Sequence, residues 1–448
     1  MSHWFERAWI GDRWQHGVRL TMRGGRIAAI ECDAAAAPGD ERHSAAIPGL
    51  CNVHSHGFQR GMAGLSERRS RPDDNFWSWR EIMYRFLDRL DPEDVAAITA
   101  QAYAEMLEGG FTRVGEFHYL HHDPAGAAYA DPAEMAGAVA AAAEGSGIGL
   151  TLLPVFYAHG SFGGADASPG QRRFLCDLDG FARLFERAKA RLAGDASIGI
   201  APHSLRAVTP EELAALLDLS PTGPVHIHVA EQVKEVEDCL AWSGARPVEW
   251  LLANAPVDAR WCLIHATHVE PDEYRAIAGR GAVAGLCPIT EANLGDGVFP
   301  AVGYLASGGR FGVGTDSNIL IDAAGELRAL EYSQRLERRA RALLAGEAQA
   351  HVGANLFAQA LAGGAQALGV EGGIALGQPA DVVSLDMNHP AFAGSDDATL
   401  LDRWIFASRS GGIDCVWRAG VKRVENGRHV DGAAIAAAYC KAVERIVA

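Results

Sequence analysis

Lysine is nearly absent. Of forty basic residues only Lys189, Lys234, Lys422 and Lys441 are lysine. Closely spaced cysteines are missing too. Cys32, Cys51, Cys176, Cys239, Cys262, Cys287, Cys415 and Cys440 fall at irregular intervals with no Cys-x-x-Cys. That speaks against a zinc-thiolate site and reads as reduced core residues of a cytoplasmic protein. No apolar run nears the ~20 residues that span a bilayer. The opening Met1-Ser-His-Trp-Phe-Glu-Arg7 lacks the basic-then-apolar layout of a secretion signal. Excess positive charge is also lacking, since fifty-six acidic side chains leave a net −16. Nucleic acid and anionic lipid are poor partners for such a surface, so an anionic ligand has to meet positive charge placed locally.

What is present is an ordinary globular balance, 48% apolar and 21% charged over 448 residues, enough for one large barrel and a small satellite. Val18–Met22 and Arg26–Ile30 flank Gly24-Gly25 as a hairpin. Asp381–Leu385 is strand-like, and Val416–Val424 before Asn426-Gly427 reads as another hairpin. A small sheet domain from residues 1–46 and 369–448 is expected, around a catalytic domain at 47–368. In the middle, short apolar runs at 46–53, 111–117, 148–157, 197–202, 224–230, 261–267, 282–288 and 311–315 alternate with helical stretches. Asp91-Pro92 opens one helix, and Thr209-Pro210-Glu-Glu212 is a capping box opening another. Buried strands alternating with helices imply an α/β fold with a parallel sheet. Eight units point to a (β/α)8 barrel, with a doubly wound sheet as the alternative.

Seven of the eight runs end in titratable residues, His54-Ser-His56 and His226-Ile-His228-Val-Ala-Glu231 among them. Barrels carry their active sites at the C-terminal strand ends. Residues two apart on a strand share a face, so His54 and His56 project to one point. With His228 and Asp316 they make three imidazoles and a carboxylate, a set suited to one divalent ion such as Zn²⁺ with an open position. Glu231 lies where the fifth run breaks into its loop and can reach a water or substrate. His265, ending the sixth run, can hold a proton near neutrality. Which of these two acts as base and which as acid the pattern leaves open.

Pro48-Gly-Leu-Cys-Asn-Val-His-Ser-His56, His228, Glu231, His265 and Gly314-Thr-Asp316 resemble the amidohydrolase superfamily. Five further strings are similar to its formimidoylglutamate deiminases: Asn52–Gly64, Phe76–Arg80, Glu116–Asp123, His203–Pro210 and Thr290–Gly297. The resemblance implies a distorted TIM barrel with a small β-sandwich from both termini. It also implies a single metal on His54, His56, His228 and Asp316, and a homodimer. Two-metal relatives usually bridge their ions with a lysine on the fourth strand. The only lysine between His56 and His228 is Lys189, within a helical stretch, so a mononuclear site is expected.

The implied substrate is N-formimino-L-glutamate, an intermediate of histidine degradation. Water activated by the metal would attack the formimino carbon, with Glu231, His265 and Asp316 carrying protons. Two carboxylates need polar or cationic partners. Gln59, Arg80, Tyr119, His203 and Arg206 are the candidates. The rival reading is a deaminase of a neutral heterocycle such as guanine or cytosine, which would not need Arg206.

Overall fold

The computed structural model describes residues 2–69, 72, 74–347, 349–408 and 412–448. The eight apolar runs are eight parallel strands. Leu50–Ser55, Phe111–His118, Gly149–Phe156 and the short pair Ser197–Ile198 and Ala201–Pro202 make one ladder. Val225–Val229, Trp261–His265, Val283–Leu286 and Arg310–Val313 make the second. Single bridges join the two, at Ile200–Val225 and Ser204–His228 on one seam and Ser55–Asp316 on the other. The barrel therefore closes, but it is distorted at the fourth strand and pinned rather than fully laddered at both seams. Every residue of Phe111–His118 and Gly149–Phe156 is buried, which is why these strands read as unbroken apolar runs.

The covering helices start where the sequence caps them. Asp91 accepts from the Asp94 amide with Pro92 at the first helical position of Pro92–Glu108, and Thr209 with Glu212 caps Pro210–Leu219. Both satisfy amides that the first helical turn leaves without partners.

The terminal segments meet in one eight-stranded ladder. Its order is Arg428–His429, Val421–Glu425, Ile413–Arg418, Val382–Leu385, Glu41–Pro48, Ser2–Ile10, Arg13–Arg23, Arg26–Glu31. Only Ser2–Ile10 with Glu41–Pro48 is parallel. The ladder curls until Arg26 bridges Pro379, enclosing a core of Phe5, Val18, Leu20, Val382 and Trp417. Trp9, Trp14 and Ile47 turn the other way and join the main core. Glu41–Pro48 passes almost directly into the first barrel strand, so the sheet anchors the segment that carries His54 and His56. The last helix, Gly432–Val447, lies against Pro92–Glu108 and pairs Arg445 with Asp91 at 3.1 Å.

All eight cysteines are free, but they are not all in the core. Cys32 and Cys440 are exposed, one in the bend after Arg26–Glu31 and the other on the outer face of Gly432–Val447. No helix of the described residues is long and apolar enough to cross a membrane.

Helix Val352–Ala367 lies across the first and eighth barrel strands, beside the seam. Its glycines permit that approach, because a Cβ on Gly363 would collide with the Phe311 carbonyl. Gly363→Ala should therefore destabilise the fold by about 1–3 kcal/mol, as overpacking does. Gly279→Ala, at an exposed helical position with open space around it, should be neutral or gain about 0.5 kcal/mol. Thermal melts of the two variants check the opposite signs.

Candidate active site

The C-terminal strand ends converge on one cleft. His56, His228, Glu231, His265 and Asp316 line it together with Gln59, Arg80, Tyr119, His203 and Arg206. His54 sits directly behind them, fully buried. Every residue singled out from the sequence for the site is thus in or against one cleft. Other polar strand ends lie outside it. His159 pairs with Glu212 at 2.9 Å, and buried His226 hydrogen-bonds the Ala367 carbonyl at 2.7 Å.

The backbone reaches this arrangement through unusual turns. Ala230, His265, Ala266, Asp316 and Asn318 all have φ between 43° and 67°, a left-handed region that non-glycine residues enter at a cost and that clusters at functional sites. Side chains hold each turn. The Glu235 carboxylate accepts from the amides of Ala230 and Glu231, each at 3.1 Å. Glu291 accepts from the Cys287 amide at 2.9 Å and faces His265 Nδ1 at 3.2 Å. Asn318 does most at the seam. Its amide nitrogen donates to Ser55 Oγ and to the His56 and Asp316 carbonyls, each at 3.1 Å, while its oxygen accepts from Thr315 Oγ1 at 2.6 Å. Asn52 completes the network, donating to Thr315 Oγ1 at 2.7 Å and accepting from the Thr315 and His54 amides.

The donor set fits a divalent ion. A carbonyl only accepts, so His56 Nδ1 donates to Phe117 O at 2.8 Å and His228 Nδ1 donates to His203 O at 3.0 Å. Each ring thereby presents its bare Nε2 to the centre, an orientation that metal-ligating histidines share. His54 Nε2 comes within 3.1 Å of His228 Nε2 and 3.5 Å of Asp316 Oδ1, and His56 Nε2 within 3.2 Å of that oxygen. Burial lowers all three histidines, His54 to about 3, and so keeps them neutral. Burial works against ionised Asp316, but the surrounding His54, His56 and His265 hold its carboxyl well below the usual range. Three neutral imidazoles and one carboxylate converging on a point are the ligands such an ion requires.

His265 and Glu231 titrate differently. Burial disfavours the imidazolium, yet Glu231, Glu291 and Asp316 outweigh it and lift His265 to about 10. Its Nε2 stands 3.9 Å from Glu231 and 3.8 Å from Asp316. Burial raises Glu231 to about 7, against the pull of His265 and Arg206. A cation and a carboxyl poised near neutrality thus face the same point.

The rest of the lining is aromatic and basic. Phe76, Trp79, Tyr84, Tyr157 and Phe174 belong to it with Arg80 and Arg206. Gln59 donates to Tyr119 Oη at 2.8 Å, and its own oxygen is buried without a partner. Arg206 is 4.0 Å from Glu235, with its Nε buried and unpartnered.

Sequence reasoning missed Glu235 and Glu291. Glu235 had a signal, lying one helical turn beyond Glu231. Glu291 lies inside the Thr290–Gly297 string that resembles the deiminases, but its contact with His265 is made only by the fold.

Residues 45–423 match the model of the Amidohydrolase family, and residues 4–44 match that of "Formimidoylglutamate deiminase HutF, N-terminal domain". The chain is 50% identical, over 95% of its length and 94% of the relative's, to a formimidoylglutamate deiminase of Pseudomonas aeruginosa. It belongs to the amidohydrolase family, among the formimidoylglutamate deiminases. A crystal structure of an amidohydrolase from Brucella melitensis is 54% identical and superposes with a TM-score of 0.97, each chain covered completely. A zinc-bound adenosine deaminase from Xanthomonas campestris, 23% identical, shares the fold over 100% of this chain and 98% of its own, with a TM-score of 0.82.

Two substitutions test this amidohydrolase centre. His228→Ala should abolish stoichiometric metal binding, read by elemental analysis of the purified protein. Asn318→Ala strands several buried polar groups and should cost about 1–3 kcal/mol, with a lower melting temperature and reduced metal content. Full metal content in both variants would refute the assigned cage.

Proposed function

We propose that the chain hydrolyses N-formimino-L-glutamate to N-formyl-L-glutamate and ammonia, using one divalent ion, most simply Zn²⁺. The observation that carries this reading is that the His54, His56 and His228 cluster, with Asp316 at 3.5 Å from His54 and 3.2 Å from His56, shares one cleft with two guanidiniums. The 50% identical deiminase supports the same substrate. Histidine catabolism is the setting that the substrate implies. Eight free cysteines suit the cytoplasm, and a homodimer is the assembly we expect.

His54, His56, His228 and Asp316 would hold the ion, which supplies the acidity that makes a water nucleophilic near neutral pH. The remaining work falls to the chain. Arg206 and Arg80 meet the two carboxylates of the substrate, and Gln59, Tyr119 and His203 complete the wall that orients its formimino group. Water oxygen adds to the formimino carbon, giving a tetrahedral carbon bearing oxygen and two nitrogens. Glu231, with its carboxyl near neutrality, takes the proton of the attacking water and passes it to the terminal nitrogen. His265, kept cationic by its three carboxylates, stabilises the charge that builds beside it. Asp316 takes the proton left on the added oxygen, and this proton is passed on to the terminal nitrogen, which departs as ammonia when its bond to carbon breaks. The carbon–oxygen double bond forms, and the glutamate nitrogen stays attached.

The rival substrate class, a neutral heterocycle, leaves the arginines without a purpose. Ammonia release should be fast with N-formimino-L-glutamate and absent with guanine or cytosine. Arg206→Ala should lower kcat/KM about a hundredfold or more, as loss of a buried charged partner does. Turnover of a neutral base, or an unaffected Arg206→Ala, would refute the substrate assignment. Dialysis against a chelator should remove turnover, and added Zn²⁺ should restore it.

A further inference from the structure

Trp77 stands behind the two arginines. It lies in the first turn of helix Phe76–Leu87, half-buried, and does not itself line the cleft. The Arg80 guanidinium carbon is 4.6 Å from the centroid of the Trp77 ring, and that of Arg206 is 5.8 Å away. Arg80 comes from the next turn of the same helix, whereas Arg206 comes from the loop after the fourth strand. One indole therefore draws together two cations from separate parts of the fold.

Neither guanidinium is fully satisfied where it stands. Arg206 has Glu235 at 4.0 Å and a buried Nε with no partner. Arg80 rests on the rings of Trp77 and Tyr84, with no carboxylate in ion-pair range among the described residues. Two like charges drawn to one ring repel each other, and a dianion relieves that repulsion better than a monoanion.

We propose that Trp77 is a positioning residue that sets the preference for dianionic substrates, its ring gathering Arg80 and Arg206 into one clamp for two carboxylates. The proposal rests on the deiminase reading above. It goes beyond that reading in giving a residue outside the cleft control over substrate charge.

The test compares Trp77→Leu, which keeps apolar bulk without the indole face, with Trp77→Phe, which restores an aromatic face. The substrates are N-formimino-L-glutamate and 4-(formiminoamino)butanoate, the same chain with a single carboxylate. Trp77→Leu should raise KM for the dicarboxylate about tenfold with kcat within about twofold, and Trp77→Phe should recover most of the loss. The monocarboxylate should change less than about threefold. An Arg80→Ala background should make Trp77→Leu nearly silent.

Glutarate binding by calorimetry reads the clamp without turnover, and melting temperatures confirm that the variants are folded. An unchanged KM and glutarate affinity in Trp77→Leu would overturn the proposal. So would Trp77→Phe behaving no better than Trp77→Leu, or a loss confined to kcat. If the wild type binds glutarate through Trp77 but does not turn over N-formimino-L-glutamate, the deiminase reading fails and the clamp stands.

Discussion

The site depends on the seam between the first and eighth barrel strands. A ladder would join such strands with repeated backbone hydrogen bonds, but here a single bridge joins Ser55 to Asp316. Side-chain amides do the rest. Asn52 and Asn318 bond across the seam, through Thr315 and Ser55, and both are fully buried. An unsatisfied amide at that depth would cost more than an ordinary hydrogen bond contributes, so each partner is held in place by the other. That network brings His54, His56 and Asp316 within a few ångströms of one another and keeps Asp316 and Asn318 in their left-handed turns.

The same logic of buried, mutually satisfied polar groups extends around the rim. Glu235 fixes the turn that presents Glu231, and Glu291 stands behind His265. These carboxylates do not line the cleft, yet they determine what the residues lining it can do. Glu291 is one of three acids that keep His265 cationic despite burial. Glu235 holds Glu231 by its backbone and leaves that carboxyl to the cleft. Burial alone would have neutralised the whole site. Paired burial leaves neutral imidazoles, an ionised Asp316 and a cationic His265 side by side.

Charge explains the rest of the lining. The chain carries net −16, so long-range attraction does not draw in a dicarboxylate. Two arginines on an aromatic wall supply the positive field locally, where the low dielectric makes it count most. Arginine rather than lysine suits this task, because its planar fork meets carboxylates in pairs and lies flat on rings.

Much of this was legible along the chain. Eight apolar runs, glycine turns and proline-led caps specified the barrel strands, the terminal hairpins and the helix starts, because each is set by local sterics and by period. The polar strand ends named His54, His56, His228, Glu231, His265 and Asp316, since a barrel gathers its strand ends by topology. The cysteines show where that reasoning stopped. Burial of Cys32 or Cys440 depends on which face a neighbouring element covers, which no local pattern states. For the same reason only the tertiary structure revealed the Asn52–Thr315–Asn318 seam, the acids behind Glu231 and His265, and the indole shared by Arg80 and Arg206. Local order fixed which residues face the centre of the barrel. The partners that set their charge and position lie up to 263 residues away in sequence, and only folding brings them into contact.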